Sequence, residues 1–138
     1  MSELHVRVCV SGEEYALAVS DVLEVAELGT VTPVPGAPAS VLGVWNLRGN
    51  VLPVVDLAAA MGLERDGATE RVVVVEQDGR RAAFAVGSVV GVDDMPPATE
   101  EVKSRHLCGG MLVDGTLVGV VNVKALLDSV REAQRDGR

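Results

Sequence analysis

Apolar residues alternate with polar ones at the start of the chain: Leu4, Val6, Val8 and Val10 are separated by His5, Arg7 and Cys9. That period of two predicts a strand with one buried face and places His5 on the exposed one. The pattern then returns. Val6-Arg-Val-Cys-Val-Ser-Gly12 aligns with Val73-Val-Val-Glu-Gln-Asp-Gly79, and Ala16–Val25 aligns with Ala83–Val92 at the same offset of about 67 residues. After one residue of slippage Gly43 matches Gly109, Gly49 matches Gly115, and Val51–Leu57 overlays Leu117–Val123. A repeat occurring only twice is too short for a solenoid and predicts two similar subdomains.

Each copy has the punctuation of a small antiparallel barrel. Ser11-Gly12, Arg48-Gly49, Asp78-Gly79 and Asp114-Gly115 sit between apolar runs as hairpin turns. Asp56 and Asn122 stand as N-caps before apolar residues at helical spacing; in the second copy these are Val123, Leu126, Leu127 and Val130. The prolines of Pro33–Pro38 predict a long extended loop. The expected fold is all-β with short helices. It comprises two SH3-like five-stranded barrels related by duplication, over residues 4–66 and 67–128, with a C-terminal helix over 122–134. A barrel of about 60 residues is marginal alone, so the two are expected to pack against each other with a groove at the seam.

Composition narrows the function. A net charge of −8 opposes nucleic-acid binding and attraction to anionic membranes. One Trp, one Tyr and one Phe leave no stacking platform for bases or sugars. No apolar run approaches the ~18 residues that span a bilayer, and the N-terminus lacks the basic and apolar segments of a signal peptide. The expected location is cytoplasmic, with Cys9 and Cys108 as reduced thiols. Ser104, His106 and Cys108 lie close together but have no evident base or orienting acid, and no nucleotide or zinc motif occurs. Asp94-Met-Pro-Pro97 predicts a second long, Pro-rich loop, and the acidic pairs Asp93-Asp94 and Glu100-Glu101 flank it and read as solvating it. No catalytic residue, cofactor or metal is expected.

Duplication separates what folding requires from what was added. Glycines and strand residues held in both copies are accounted for by the fold. Arg48 differs from its counterpart Asp114, Asn46 from Leu112, and Glu24 from Gly91. Arg48 is also the sole Lys or Arg between Arg7 and Arg65. A guanidinium there should pair with a carboxylate or be offered to a partner.

The segment Leu42-Gly-Val-Trp-Asn-Leu-Arg-Gly-Asn-Val-Leu-Pro-Val-Val-Asp-Leu57 resembles the signature of CheW domains. Glu13–Val25, Pro35–Pro38 and Val120–Leu127 resemble other parts of that family, so the likeness covers roughly residues 4–130. It implies a non-enzymatic adaptor joining the regulatory domain of a CheA-type histidine kinase to the cytoplasmic tip of methyl-accepting chemotaxis receptors, recruited to membrane-associated arrays without inserting into the membrane. By the resemblance, kinase contacts fall at Val22, Glu24, Gly43, Asn46, Arg48 and Gly49, with Glu24 close to Arg48. Receptor contacts fall at Val89 and Val92, in the groove between barrels. Trp45 stands where the family usually has a smaller residue. The residues alone also allow a small enzyme or ligand-binding barrel on the same fold.

Overall fold

The computed structural model describes residues 3–64, 67, 69–96, 98, 101 and 104–136, the last five in backbone only. Strands β1 (Glu3–Val10) and β2 (Glu13–Ala18) form a hairpin, and a single 3-10 turn, Val19–Asp21, leads into β3 (Val22–Glu27). A long loop precedes the hairpin β4 (Val41–Leu47) and β5 (Asn50–Asp56), which ends in the one-turn helix α1 (Leu57–Ala60). The second copy repeats this order: β6 (Arg71–Gln77), β7 (Arg80–Val86), β8 (Ser88–Met95), β9 (Leu107–Val113), β10 (Thr116–Val121) and α2 (Val123–Asp136). Both helices start as expected. Asp56 Oδ1 accepts from the Ala58 N–H at 3.1 Å and Asn122 Oδ1 from the Ala125 N–H at 3.0 Å.

All four hairpins turn through the same backbone conformation. Their central pairs have φ of 53° and 77° (Ser11, Gly12), 51° and 88° (Arg48, Gly49), 52° and 79° (Asp78, Gly79), and 48° and 81° (Asp114, Gly115). Two successive positive φ values define the type I′ turn, whose twist matches that of the flanking strands.

The strands form two five-stranded sheets, ordered β8-β1-β2-β10-β9 and β3-β6-β7-β5-β4. Replacing each strand by its counterpart in the other copy converts one order into the other. The two copies are therefore equivalent, but each sheet takes its first hairpin from one copy and three strands from the other. A division at residue 66 does not separate the sheets, which corrects the expected ranges 4–66 and 67–128. The exchange is sealed by parallel contacts: Tyr15 and Ala16 lie against Gly119 and Val120, and Val54–Asp56 against Ala83–Ala85. Periodicity identifies equivalent strands, but pairing within a copy and pairing between copies satisfy it equally well.

Three apolar clusters result. Ala16, Met95, Met111, Val118 and Val120 fill the first sheet, while Trp45, Leu52, Val54, Val72, Val74, Ala83 and Ala85 fill the second. The largest cluster lies between the sheets and unites Val6, Val8 and Leu17 with Val73, Val75 and Phe84, sealed by Leu126 and Leu127 of α2. The middle of the seam is thus a packed core. Both faces of β1 are covered, that of Val6 and Val8 by this core and that of His5 by the interior of the first sheet. His5, expected on an exposed face, is 5% exposed, and its Nδ1 donates to the Glu3 carbonyl at 2.9 Å. Asp93 and Asp94 lie near the end of β8, which runs on to Met95, so Asp94 is in the strand and not yet in the Pro-rich loop; Glu100 lies outside the described residues.

Candidate interaction site

The β4–β5 turn opens onto a recess of about 150 Å³ at the end of the second sheet, lined by Leu23, Glu24, Leu47, Arg48, Asn50, Leu52, Val74 and Arg81. Arg48 projects from the turn with its side chain 70% exposed. Its two terminal nitrogens donate to the two oxygens of Glu24 on β3, at 2.6 and 2.7 Å. This fork-to-fork geometry fixes the guanidinium plane. The Arg48 hydrogen bonds hold the Glu24 carboxyl below the usual carboxylate range. The adjoining β-bulge makes Leu23 an extra residue on β3, 50% exposed beside the pair.

The other expected kinase-side residues take different positions. Asn46 is exposed, and its Oδ1 accepts from the Gly49 N–H at 2.9 Å. Gly49 has left-handed φ and no atom within 4 Å of where a Cβ would sit. Val22 packs against the shared core. Gly43 is buried at φ +150°, where a Cβ would lie 2.2 Å from the Thr32 carbonyl oxygen. The missing side chain allows the long loop to bridge β4 through Thr32 and Val44. Of the expected set, Glu24 and Arg48 line the recess and Asn46 and Gly49 shape the turn beside it, while Val22 packs inward and Gly43 seats the long loop. Trp45 belongs to the second-sheet core at 8% exposure.

On the receptor side, Val89 packs onto the shared core and Val92 is 56% exposed. Val92 pairs with Val6 across β8 and β1, and Leu4, 51% exposed, lies on the same face. Leu4 and Val92 therefore form an apolar rim where the packed seam meets solvent. Leu4 and Leu23 were not singled out in the sequence. Leu4 reads as an ordinary member of the β1 alternation, and the bulge that exposes Leu23 leaves no compositional mark.

Nothing at Ser104, His106 and Cys108 resembles an activated nucleophile. Burial pushes the Cys108 thiol up, and its Sγ faces the carbonyls of Val120 and Val121. Burial and the neighbouring Arg105 push His106 down, and Ser104 Oγ accepts from its backbone N–H. Among the described residues no group of three or more His, Cys, Asp or Glu is placed to hold a metal ion, and no helix is long and apolar enough to cross a membrane.

The sequence and the fold have relatives among known proteins. The model of the CheW-like domain matches residues 5–131. A probable chemotaxis protein CheW of Rhizobium etli is 32% identical over 127 residues, covering 85% of this chain and 82% of the relative. The chemotaxis protein CheW of Rhizobium meliloti is 31% identical over 130 residues, covering 87% and 84%. The crystal structure of scaffolding protein TtCheW from Thermoanaerobacter tengcongensis superposes with a TM-score of 0.83 at 26% identity, covering 91% of this chain and 88% of that one. The sequence match over nearly the whole chain and the shared fold converge: this chain belongs to the CheW-like domain family.

Proposed function

We propose that this chain is a non-enzymatic chemotaxis scaffold that couples a CheA-type histidine kinase to the cytoplasmic tips of methyl-accepting receptors. In this reading it works in the cytoplasm and is recruited to receptor arrays at the membrane. The observation that carries the reading is the display of Arg48. An always-charged fork is held by Glu24 at an exposed turn, beside the exposed Leu23. Arginine is among the residue types enriched in binding hot spots. The kinase regulatory domain would dock here, with Glu24, Arg48 and Gly49 forming the contact and Val22, Gly43 and Asn46 supporting its backbone. The receptor tip would use the apolar rim at Val92, with Val89 beneath it.

The test is binding of the purified chain to its host's kinase regulatory domain and, separately, to receptor fragments. Arg48→Ala should weaken kinase binding about thirtyfold, with receptor binding and the melting temperature almost unchanged. Val89→Met should weaken receptor binding while kinase binding survives. Wild-type kinase affinity for Arg48→Ala would remove the kinase assignment. Equal loss of both partners by Val89→Met would mean disturbed packing of the shared core and remove the receptor assignment.

A further inference from the structure

We infer that Asn46 is a positioning residue: its side chain locks the left-handed turn that displays Arg48, and it does not itself touch the partner. The inference rests on the proposed role of Arg48 in kinase binding. The four type I′ turns allow an internal comparison. Three have Ser11, Asp78 or Asp114 as the first left-handed residue. These are short polar side chains, and left-handed backbone is least unfavourable for residues of that kind. The fourth has Arg48 at φ 51°, where a long side chain gains nothing locally. Among the described residues, this is also the one turn whose glycine N–H is held by a side-chain oxygen, that of Asn46.

The residues one place before the other turns' flanking positions are Cys9, Glu76 and Leu112. Cys9 and Leu112 have no side-chain oxygen, and Glu76 is engaged by Arg81 Nε at 2.5 Å. Two restraints therefore act on Arg48. Asn46 holds its backbone through Gly49, and Glu24 holds its guanidinium. An asparagine suits the first task because its short amide reaches the N–H three residues on, the reach of a helix N-cap side chain. Both Asn46 and Arg48 are absent from the equivalent turn, where Leu112 and Asp114 stand.

A binding cycle tests this, with melting curves confirming that each variant is folded. Asn46→Ala should weaken kinase binding about fivefold, the weight of one hydrogen bond. Asn46→Leu, which copies the other half, should do the same. Asn46→Asp keeps the accepting oxygen and should stay within about twofold of wild type. In an Arg48→Ala background, Asn46→Ala should cause no further loss, because nothing remains to be positioned. Losses that add in the double variant would identify Asn46 as a direct contact and overturn the inference. So would wild-type binding by both Asn46→Ala and Asn46→Leu, or failure of Asn46→Asp to rescue. If Arg48→Ala itself binds normally, the kinase assignment fails instead.

Discussion

The same backbone forms a recess at the end of each sheet, and the two are charged in opposite ways. At the second sheet the arginine is on the turn tip, with Arg48 70% exposed and facing Glu24. At the first sheet the tip residue is Asp114, and the arginine is inside: Arg7 lies on β1, with its side chain 22% exposed. Arg7 occupies the position equivalent to Val74 of the second-sheet core. It is gripped by Glu14 at 2.7 and 2.8 Å and by Asp93 at 2.9 Å. The inner recess is also larger, about 480 Å³ against about 150 Å³. One guanidinium is consumed by internal pairing and replaces core; the other is held once and left presentable. Duplication supplied two equivalent frames, and in one of them the cation stands on the turn, where the proposed function needs it.

The largest effect expected from this comparison tests whether the frames are equivalent at all. Gly49→Val and Gly115→Val each force a β-branched residue into φ above 80°. Each should cost about 2 kcal/mol in denaturant unfolding. Neither glycine has an atom within 4 Å of a would-be Cβ, so backbone strain and not crowding sets the cost. If one variant unfolds at wild-type denaturant concentration, the two turns are not equivalent.

A smaller effect separates the two arginines. Arg7→Ala removes the centre of a three-residue network and leaves Glu14 half-buried, so it should destabilise the chain by about 1 kcal/mol after discounting for partial exposure. Arg48→Ala should barely move the melting temperature. Should Arg48→Ala be the more destabilising of the two, the distinction between an inner structural arginine and an outer displayed one fails.

How much of this was legible in the sequence depended on whether a feature is local. The four turns, both N-caps and the repeat were readable because each is decided by a few adjacent residues. Glu24 opposite Arg48 came from the family likeness and agreed with both being absent from the second copy. The exchange of hairpins between sheets was not legible, because equivalent strands carry the same alternation whichever copy they pair with. His5 is buried because its face of β1, opposite Val6 and Val8, turns onto the interior of the first sheet with Ala16 and Met95. Gly43 is legible as a conserved half-to-half glycine, but its purpose requires seeing the Thr32 carbonyl pressed against it. Leu23 became a surface residue only through a bulge that no residue type announces.

The smallest effect concerns the charge state of the displayed pair. Hydrogen bonds from Arg48 lower the Glu24 carboxyl relative to its ordinary value near 4.3. A depressed folded value means the unfolded chain binds more protons in the window between the two values, so stability rises with pH across that window. The contribution of the pair is complete above the unfolded value and is lost as pH falls through the folded one. Between pH 7 and 5 the fork should therefore stay closed, and kinase binding should show no dependence on Glu24 in that range. In Arg48→Ala the Glu24 resonance, followed by NMR titration, should move up towards the ordinary carboxylate value, because its dominant partner has gone. High salt should produce part of the same rise in the wild type, since the pair is exposed and screened. An unchanged Glu24 titration in Arg48→Ala would mean that the two side chains are not paired in solution. Arg48 would then hang from its turn unrestrained, and the difference between the two recesses would reduce to the position of one residue.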